Sequence, residues 1–145
     1  MERYIDRSLG FAIARARHLI QTELKKRIAE SGLKISPEES SVLLIISDAT
    51  NPIRVSDLAR LAIRDITTLK RQIDSLVGNK YVRQEKDPAD GRGVLVSLTD
   101  LGREEILKLE QVVDSVRAKV TKGFSKKEHA QLIASMKKIQ ANLLD

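Results

Sequence analysis

Residues 53–99 read IRVSDLARLAIRDITTLKRQIDSLVGNKYVRQEKDPADGRGVLVSLT. In the first half, apolar residues recur at the spacing of amphipathic helices, and the second half holds two short β-prone runs. The residues PADGRG between these runs suit a hairpin tip, because Pro, Asp and Gly favour tight turns. The pattern predicts, in chain order, a helix over Ser56–Ala62, a turn at Ile63–Arg64, a helix from an Asp65 cap to Gly78, and strands over Tyr81–Asp87 and Val94–Thr99. The residues Ile53-Arg54-Val55 can add a short third strand.

Two motifs in this stretch resemble those of a known family. Asp90-Gly91-Arg92, followed after five residues by Leu98-Thr99, is similar to the D-x-R…L-T wing signature of MarR-type winged-helix regulators. Leu58-Ala59 and the run Thr67-Thr68-Leu69-Lys70-Arg71 resemble that family's two motif helices, and the resemblance covers nearly the whole chain. It implies a mainly α-helical fold with a small β-wing, in which residues 36–99 form a winged helix-turn-helix DNA-binding region. Residues 1–32 and 100–145 would then be the dimerisation helices of a single protomer.

Helical patterns flank the motif on both sides. Tyr4 to about Glu30 carries apolar residues at spacings of three and four, which predicts one long amphipathic helix. A capping box at Ser36–Glu39 starts the next helix, which is apolar nearly all round and is therefore expected to be buried. Thr99 is expected to cap a long helix that reaches about Phe124 and carries an apolar stripe close to a coiled-coil seam. A second capping box at Ser125–Glu128 starts the last helix.

The first helix, the long helix after Thr99 and the last helix each carry an apolar stripe. Together they have more apolar surface than one small protomer can obviously bury. Spacing alone leaves open whether the first helix packs only within its own protomer or also pairs with a second chain, and the family resemblance favours a homodimer. A symmetric dimer would present two motifs to a palindromic operator with half-sites about one helical turn apart. The residues expected at the dimer interface are Ile5, Leu9, Ile13, Val120, Phe124, Leu132, Met136, Ile139 and Leu143.

The second motif helix, residues 65–78, is expected to lie in the major groove of double-stranded DNA, and the wing at residues 87–94 in the minor groove. Thr and Arg side chains on the polar face of this helix can bond bases or phosphates, although the same face could be an ordinary solvated surface. Arg92 at the hairpin tip can enter a narrow minor groove, where the negative potential is deepest. The residues expected to contact DNA are Arg64, Thr67, Thr68, Lys70, Arg71, Gln72, Arg83, Lys86, Asp90 and Arg92.

Several of these side chains have a purely structural alternative. Asp90 is expected to hold the shape of the wing by bonding Arg92 or the nearby backbone, or else it is a simple turn residue. Arg83 and Lys86 either contact phosphates or only solvate an edge strand. Which side chains read bases and which hold phosphates is left open by the sequence.

Two positions depart from the family pattern. Ile63 stands where the family often has Gly in the turn, and because a β-branched residue disfavours positive φ, we expect a different backbone or regular helix there. Lys80 stands where the family tends to have Gly before the first wing strand, and we expect Gly78 or Asn79 to take the left-handed conformation instead. The motif residues expected in the core are Leu58, Leu61, Ile66, Leu69, Ile73, Leu76 and Val77.

The composition narrows the classes of function. The 145 residues carry a net charge of +6, which is compatible with nucleic-acid binding but does not establish it. With no Cys, two His and no Gly-rich phosphate loop, the sequence predicts no enzyme, no metal site and no cofactor. No apolar run reaches the roughly 18 residues of a membrane span, and the lack of Cys fits a cytoplasmic protein.

A winged-helix protein interaction module that does not read DNA is the alternative function. Such a module would have a neutral or acidic reading face, and the residues from Asp65 to Val77 carry no net charge. Arg92 and the basic residues of the helix favour DNA, and the family's commonest role is repression. The resemblance also implies a small aromatic or phenolic effector that shifts the two reading helices and so relieves repression. The residues expected around it are Ala12, Arg15, Ala16, Leu19, Val42, Leu43 and Ile46.

Overall fold

A computed structural model describes residues 1–49 and 52–144 of the chain. It confirms a mainly helical fold with a small antiparallel sheet. The elements in chain order are α1 (Tyr4–Arg7), α2 (Leu9–Ser31), α3 (Pro37–Asp48), β1 (Ile53–Arg54), α4 (Val55–Ala62), α5 (Ile66–Gly78), β2 (Val82–Lys86), β3 (Val94–Leu98), α6 (Asp100–Val120) and α7 (Lys126–Leu144). No helix in these two ranges has the length and hydropathy needed to cross a membrane.

The N-terminal segment is two helices, so the prediction of one continuous helix was wrong. Ser8 has an extended backbone and separates α1 from α2. Its Oγ accepts a hydrogen bond from the Phe11 backbone N–H at 3.2 Å and so caps the N-terminus of α2. A serine that bonds the backbone in this way competes with continuation of a helix, which explains the break. At the other end Gly32 has a φ of 82° and ends α2.

The core lies where α3 meets α4, α5, α6 and the sheet. Ser36 caps α3 as predicted, because its Oγ accepts from the Glu39 backbone N–H at 3.1 Å. Glu39 Oε1 accepts from the Ser36 hydroxyl at 3.2 Å, so the return bond of the predicted capping box comes from the side chain of Ser36. Helix α3 is buried along much of its length, because apolar residues lie on most of its sides. The fully or almost fully buried side chains of this core include Val42, Leu43, Ile46, Leu58, Leu69, Ile73, Leu76, Val82, Val96, Ile106 and Leu109.

Two residues predicted in this core, Leu61 and Ile66, are exposed by 58% and 42%. Leu61 lies two residues after the buried Ala59, which places it about 200° round α4 and away from the core. Ile66 is the first residue of α5, one turn before Leu69, which is the first buried residue of this helix. Its side chain therefore lies beyond the edge of the core. Helical spacing indicates which residues share a face, but the short length of α4 and the start of α5 decide which of them reach the core.

The sheet has the strand order β1-β3-β2, and both pairs are antiparallel. Ile53 pairs with Val96 and Arg54 with Leu95, which confirms the predicted third strand for these two residues. Val55, the third residue of that prediction, begins α4. Strands β2 and β3 pair from Val82 opposite Leu98 to Lys86 opposite Val94, and their connection forms the wing. Because β1 immediately precedes α4, the sheet joins the wing to the first helix of the motif.

The long helix α6 ends at Val120, four residues before the predicted Phe124. Ile106, Leu109 and Val116 are buried, so most of the stripe that resembled a coiled-coil seam packs inside the protomer. Only its last part, Val120 and Phe124, is exposed, by 43% and 46%. Periodicity showed the apolar face correctly, but it could not show that a helix of the same chain covers most of it.

Candidate nucleic-acid interface

Helix α5 presents one buried and one exposed face. Asp65 caps it, and its Oδ2 accepts a hydrogen bond from the Thr68 backbone N–H at 3.0 Å. Hydrogen bonds from the Thr68 hydroxyl and backbone hold the pKa of Asp65 below its usual value, so this carboxylate stays ionised at the start of the helix. The exposed face includes Ile66, Thr67, Lys70, Arg71 and Asp74, which recur at spacings of one, three and four residues.

Arg64 and Gln72, both predicted to contact DNA, bond to each other within the protomer. The Arg64 Nη1 donates to Gln72 Oε1 at 3.1 Å, and its Nη2 donates to Ser41 Oγ at 2.7 Å. Both side chains are half-buried. Arg64 therefore braces the turn between α4 and α5 against α3. Of the other residues of α5 predicted to contact DNA, Thr67, Lys70 and Arg71 are exposed and Thr68 is half-buried.

The turn between α4 and α5 has a left-handed residue at Ile63, with φ 52° and ψ 58°. The expectation that a β-branched residue would avoid this conformation was wrong. The Ile63 N–H donates to the Arg60 carbonyl at 3.3 Å, and the Arg64 N–H donates to the Ala59 carbonyl at 3.1 Å. These bonds satisfy carbonyls at the end of α4 and require a left-handed residue at this point. The Ile63 side chain is 59% exposed, so the turn places an apolar group at the surface.

Lys80, the second position that departs from the family pattern, also has a left-handed backbone. Lys80 itself takes the left-handed conformation, with a φ of 64°, so the prediction that Gly78 or Asn79 would do so was wrong. The next N–H, from Tyr81, donates to the Leu76 carbonyl at 3.0 Å and closes the end of α5. Asn79 has a different task, because its Nδ2 donates to the Lys34 carbonyl at 2.8 Å.

The base of the wing is held by a carboxylate that the sequence interpretation missed. Asp87 is only 7% exposed, and it accepts hydrogen bonds from Ala89 N–H at 2.9 Å and from Arg54 Nε at 2.8 Å. These hydrogen bonds hold the pKa of Asp87 below its usual value, and the bond from the Ala89 N–H has a larger effect than the bond from Arg54. Arg54 lies on β1, and the pairing of β1 with β3 brings it to Asp87.

Asp90 fixes the tip of the wing through the backbone. Its Oδ1 accepts from the Arg92 N–H at 3.1 Å, and its Oδ2 lies 3.8 Å from Arg54 Nη2. In the described ranges the Arg92 side chain makes no hydrogen bond or ion pair, and it is exposed. The wing therefore holds the backbone of Arg92 in place and leaves its guanidinium available.

A cleft of about 360 Å³ lies between α5 and the wing. Lys70 and Asp74 of α5 line one side, and Arg92 lines the other. Gln84 also lines this cleft, and since side chains alternate along a strand, Lys86 lies on the same face of the sheet as Gln84. Arg83 lies on the opposite face and donates from Nε to Ser97 Oγ at 3.3 Å. Four of the predicted DNA contacts, Lys70, Lys86, Asp90 and Arg92, thus lie on or beside one concave surface.

The residues predicted around an effector do not come together. Val42, Leu43 and Ile46 are buried in the core with at most 3% exposure, so they offer no surface to a ligand. Among the predicted residues on α2, Ala16 lines a groove towards α6 and α7, and Arg15 lies 5.7 Å from the Phe11 ring centre. A different cleft of about 500 Å³ lies between α2 and the start of α3. It is lined by polar and apolar residues that include His18, Gln21, Thr22, Lys25, Leu33, Ile35 and Ser36.

The terminal helices leave much of their apolar surface uncovered. Neither α1 nor α7 buries a side chain fully. Several residues predicted at a dimer interface are exposed, with Leu9 at 61%, Leu132 at 42% and Leu143 at 80%. Ile5, Ile13, Met136 and Ile139 are half-buried. A largely apolar groove of about 500 Å³ runs between α2, α6 and α7.

Comparison with known proteins gives consistent matches. Residues 35–94 match the model of the MarR family. The chain is 37% identical over 108 residues to the uncharacterised HTH-type transcriptional regulator YxaD of Bacillus subtilis (strain 168), over 74% of this chain and 69% of that protein. A mutant MarR from E. coli complexed with operator DNA is 29% identical, with a TM-score of 0.81 over 90% of this chain and 92% of that chain. CouR from Rhodococcus jostii RHA1, bound to p-coumaroyl-CoA, shares the fold with a TM-score of 0.84 at 20% identity, over 95% of each chain.

Proposed function

Since the chain belongs to the MarR family of transcriptional regulators and is not an enzyme, we propose that two copies form a dimer that represses transcription at a palindromic operator. In this complex α5 lies in the major groove, and the wing at residues 87–94 lies in the adjacent minor groove. The observation that carries the proposal is the cleft between α5 and the wing, where Lys70 and Arg92 lie on opposite sides.

The state of Arg92 supports a role at DNA more than a role in folding. Asp90 holds its backbone, and no described group bonds its guanidinium. A flexible cation at the tip of a narrow hairpin has the shape and charge that suit a minor groove. The exposed Lys70 and Arg71 on α5 can reach base edges or phosphates, and the exposed Thr67 at its N-terminal end can do the same.

The dimer is supported by the uncovered terminal helices. Helix α7 spans 19 residues and has no fully buried side chain, yet most of the stability of a helix in a protein comes from packing of its apolar face. A second copy related by a two-fold axis would cover α1, α7 and the groove beside them, because an isologous interface uses the same patch twice. The two copies of α5 would then face half-sites about one helical turn apart on the DNA.

Relief by a small aromatic or phenolic effector is a further part of the proposal. The E. coli neighbour was solved with operator DNA and the Rhodococcus neighbour with p-coumaroyl-CoA, so chains of this fold bind both kinds of partner. In this chain the cleft between α2 and α3, with Lys25 and His18 on its wall, suits a small anion better than the buried core residues do. A ligand there would act by changing the relation between the dimer helices and the motif.

The substitution Arg92→Ala tests the proposed DNA contact. The probe is the consensus duplex that the protein selects from a random-sequence pool, called the selected duplex below. Loss of a minor-groove arginine should weaken binding by about 1–3 kcal/mol, or roughly 5- to 150-fold, in fluorescence anisotropy.

The matched control is Arg103→Ala, which removes the same charge from an exposed pair with Asp100 on α6. We expect this control to bind the selected duplex nearly as tightly as the natural chain. Equal affinities for Arg92→Ala and Arg103→Ala at matched salt would remove the wing tip from the interface.

A further inference from the structure

The N-terminal end of α5 carries an apolar side chain on an otherwise polar surface. Ile66 is the first residue of the helix and is 42% exposed. It starts the row Ile66, Lys70, Asp74, whose members lie four residues apart on one side of the helix. Lys70 and Asp74 line the cleft between α5 and the wing. Ile66 therefore lies at the N-terminal end of the side of α5 that faces the proposed DNA site.

A second exposed isoleucine precedes it. Ile63 is 59% exposed although its backbone is left-handed, a conformation that β-branched residues rarely take. Single exposed apolar residues are common on protein surfaces. Here, however, Ile63 and Ile66 lie within four positions of each other at the tip of the motif. Ile63 is present although its left-handed backbone disfavours a β-branched residue, and unfavourable conformations of this kind cluster at functional sites.

The start of α5 is also a poor site for a phosphate. Helix N-termini attract anions because their N–H groups are free, but Asp65 already accepts the Thr68 N–H and places a carboxylate there. The hydrogen bonds to Asp65 also favour its ionised form. Ile66 itself offers no donor. The contact made by the Ile66 side chain is therefore better suited to an apolar group than to the DNA backbone.

From this geometry we infer that Ile66 reads thymine by packing on its C5 methyl group in the major groove. Among the four ordinary bases, thymine alone presents a methyl group on the major-groove edge. The inference rests on the proposed function, because it needs α5 in that groove. It assigns Ile66 as a specificity-determining residue and Lys70 and Arg71 as its polar neighbours.

The test compares thymine with deoxyuridine, which differs only by that methyl group. Each thymine of one half-site in the selected duplex is replaced in turn, and affinities are measured by anisotropy for the natural chain and for Ile66→Ala. Burial of one methyl group should change affinity about fourfold. We expect one thymine whose replacement weakens the natural chain by about fourfold and leaves Ile66→Ala unchanged.

Leu61→Ala is the matched control, because Leu61 is also exposed, by 58%, but lies on α4. This variant should respond to deoxyuridine as the natural chain does. The inference is overturned if no thymine matters, if Ile66→Ala responds as much as the natural chain, or if the selected half-site lacks thymine. A failure to select any consensus duplex would instead refute the proposed function itself, and the assignment of Ile66 with it.

Discussion

Gly102 lies where the wing meets α6, at a point where the two backbones almost touch. A Cβ atom at this position would lie 2.0 Å from the Tyr81 carbonyl oxygen and 3.3 Å from Leu98 Cδ2. Ordinary contacts of a Cβ atom begin at about 3.4 Å. The substitution Gly102→Ala therefore requires α6 and the start of β2 to separate by more than about 1 Å.

The Tyr81 carbonyl cannot easily give way. It accepts hydrogen bonds from the Thr99 N–H at 3.0 Å and from the Thr99 Oγ1 at 3.2 Å. The Tyr81 ring is buried, and its hydroxyl accepts from the Lys34 N–H at 3.2 Å. We place the cost near the upper end for overpacking, about 3 kcal/mol. Alanine returns about 1 kcal/mol through its helix propensity, so the expected net loss is about 2 kcal/mol.

Thermal unfolding at one protein concentration measures this loss. For a chain of this size, about 2 kcal/mol corresponds to a fall in Tm of roughly 4–8 °C. The control is Gly78→Ala at the end of α5, where a Cβ would meet no atom within 4 Å. That variant should gain about 0.5–1 kcal/mol from the same propensity. A Gly102→Ala protein as stable as the natural chain would refute the close approach of α6 to the wing.

Three other predictions concern the turn, the wing and the dimer. Because Ile63 has a left-handed backbone, which glycine adopts more easily than alanine, Ile63→Gly should be more stable than Ile63→Ala by about 1 kcal/mol in urea unfolding. Inside a helix alanine is the more stable of the two, and that order here would contradict the left-handed turn. Because Ala89 and Arg54 lower the pKa of Asp87, its contribution to stability is present above its ordinary pKa near 4 and disappears as the pH falls below it. The difference in Tm between the natural chain and Asp87→Asn should therefore shrink from pH 7 to pH 3, and a constant difference would count against the ionised pair. Leu143 is 80% exposed in the protomer and should be buried at the dimer interface. Leu143→Glu should therefore sediment as a smaller species than the natural chain. Identical sedimentation would remove Leu143 from the interface.

The motif could be predicted from the sequence because its signals are local. Ser36, Asp65 and Thr99 each accept the backbone N–H that a helix cap requires, and the turn residues of the wing lie between two β-prone runs. The bond between Arg54 and Asp87 spans 33 positions. It depends on the register of β1 against β3, which no local pattern contains.

Two other predictions were wrong at helix ends, where capping hydrogen bonds override the conformational preference of a single residue. Ile63 and Lys80 take left-handed conformations because the ends of α4 and α5 need their carbonyls satisfied there. The stripe on α6 shows a second limit of sequence patterns. Val116 is buried within the protomer and Val120 is exposed, although both belong to the same periodic series. Periodicity shows that a face is apolar, but only the packing shows what covers it.

Selection of duplexes from a random-sequence pool, followed by sequencing and by the stoichiometry of the complex, tests the proposed function most directly. For a dimer that reads a palindrome, the selected duplexes should converge on an inverted repeat whose half-site centres lie about 10 base pairs apart. One dimer should bind each duplex, and the affinity should fall steeply with salt because several phosphates are neutralised. Binding that does not converge on any sequence, or a consensus without two-fold symmetry bound by a single copy, would contradict a dimeric regulator that reads a palindrome.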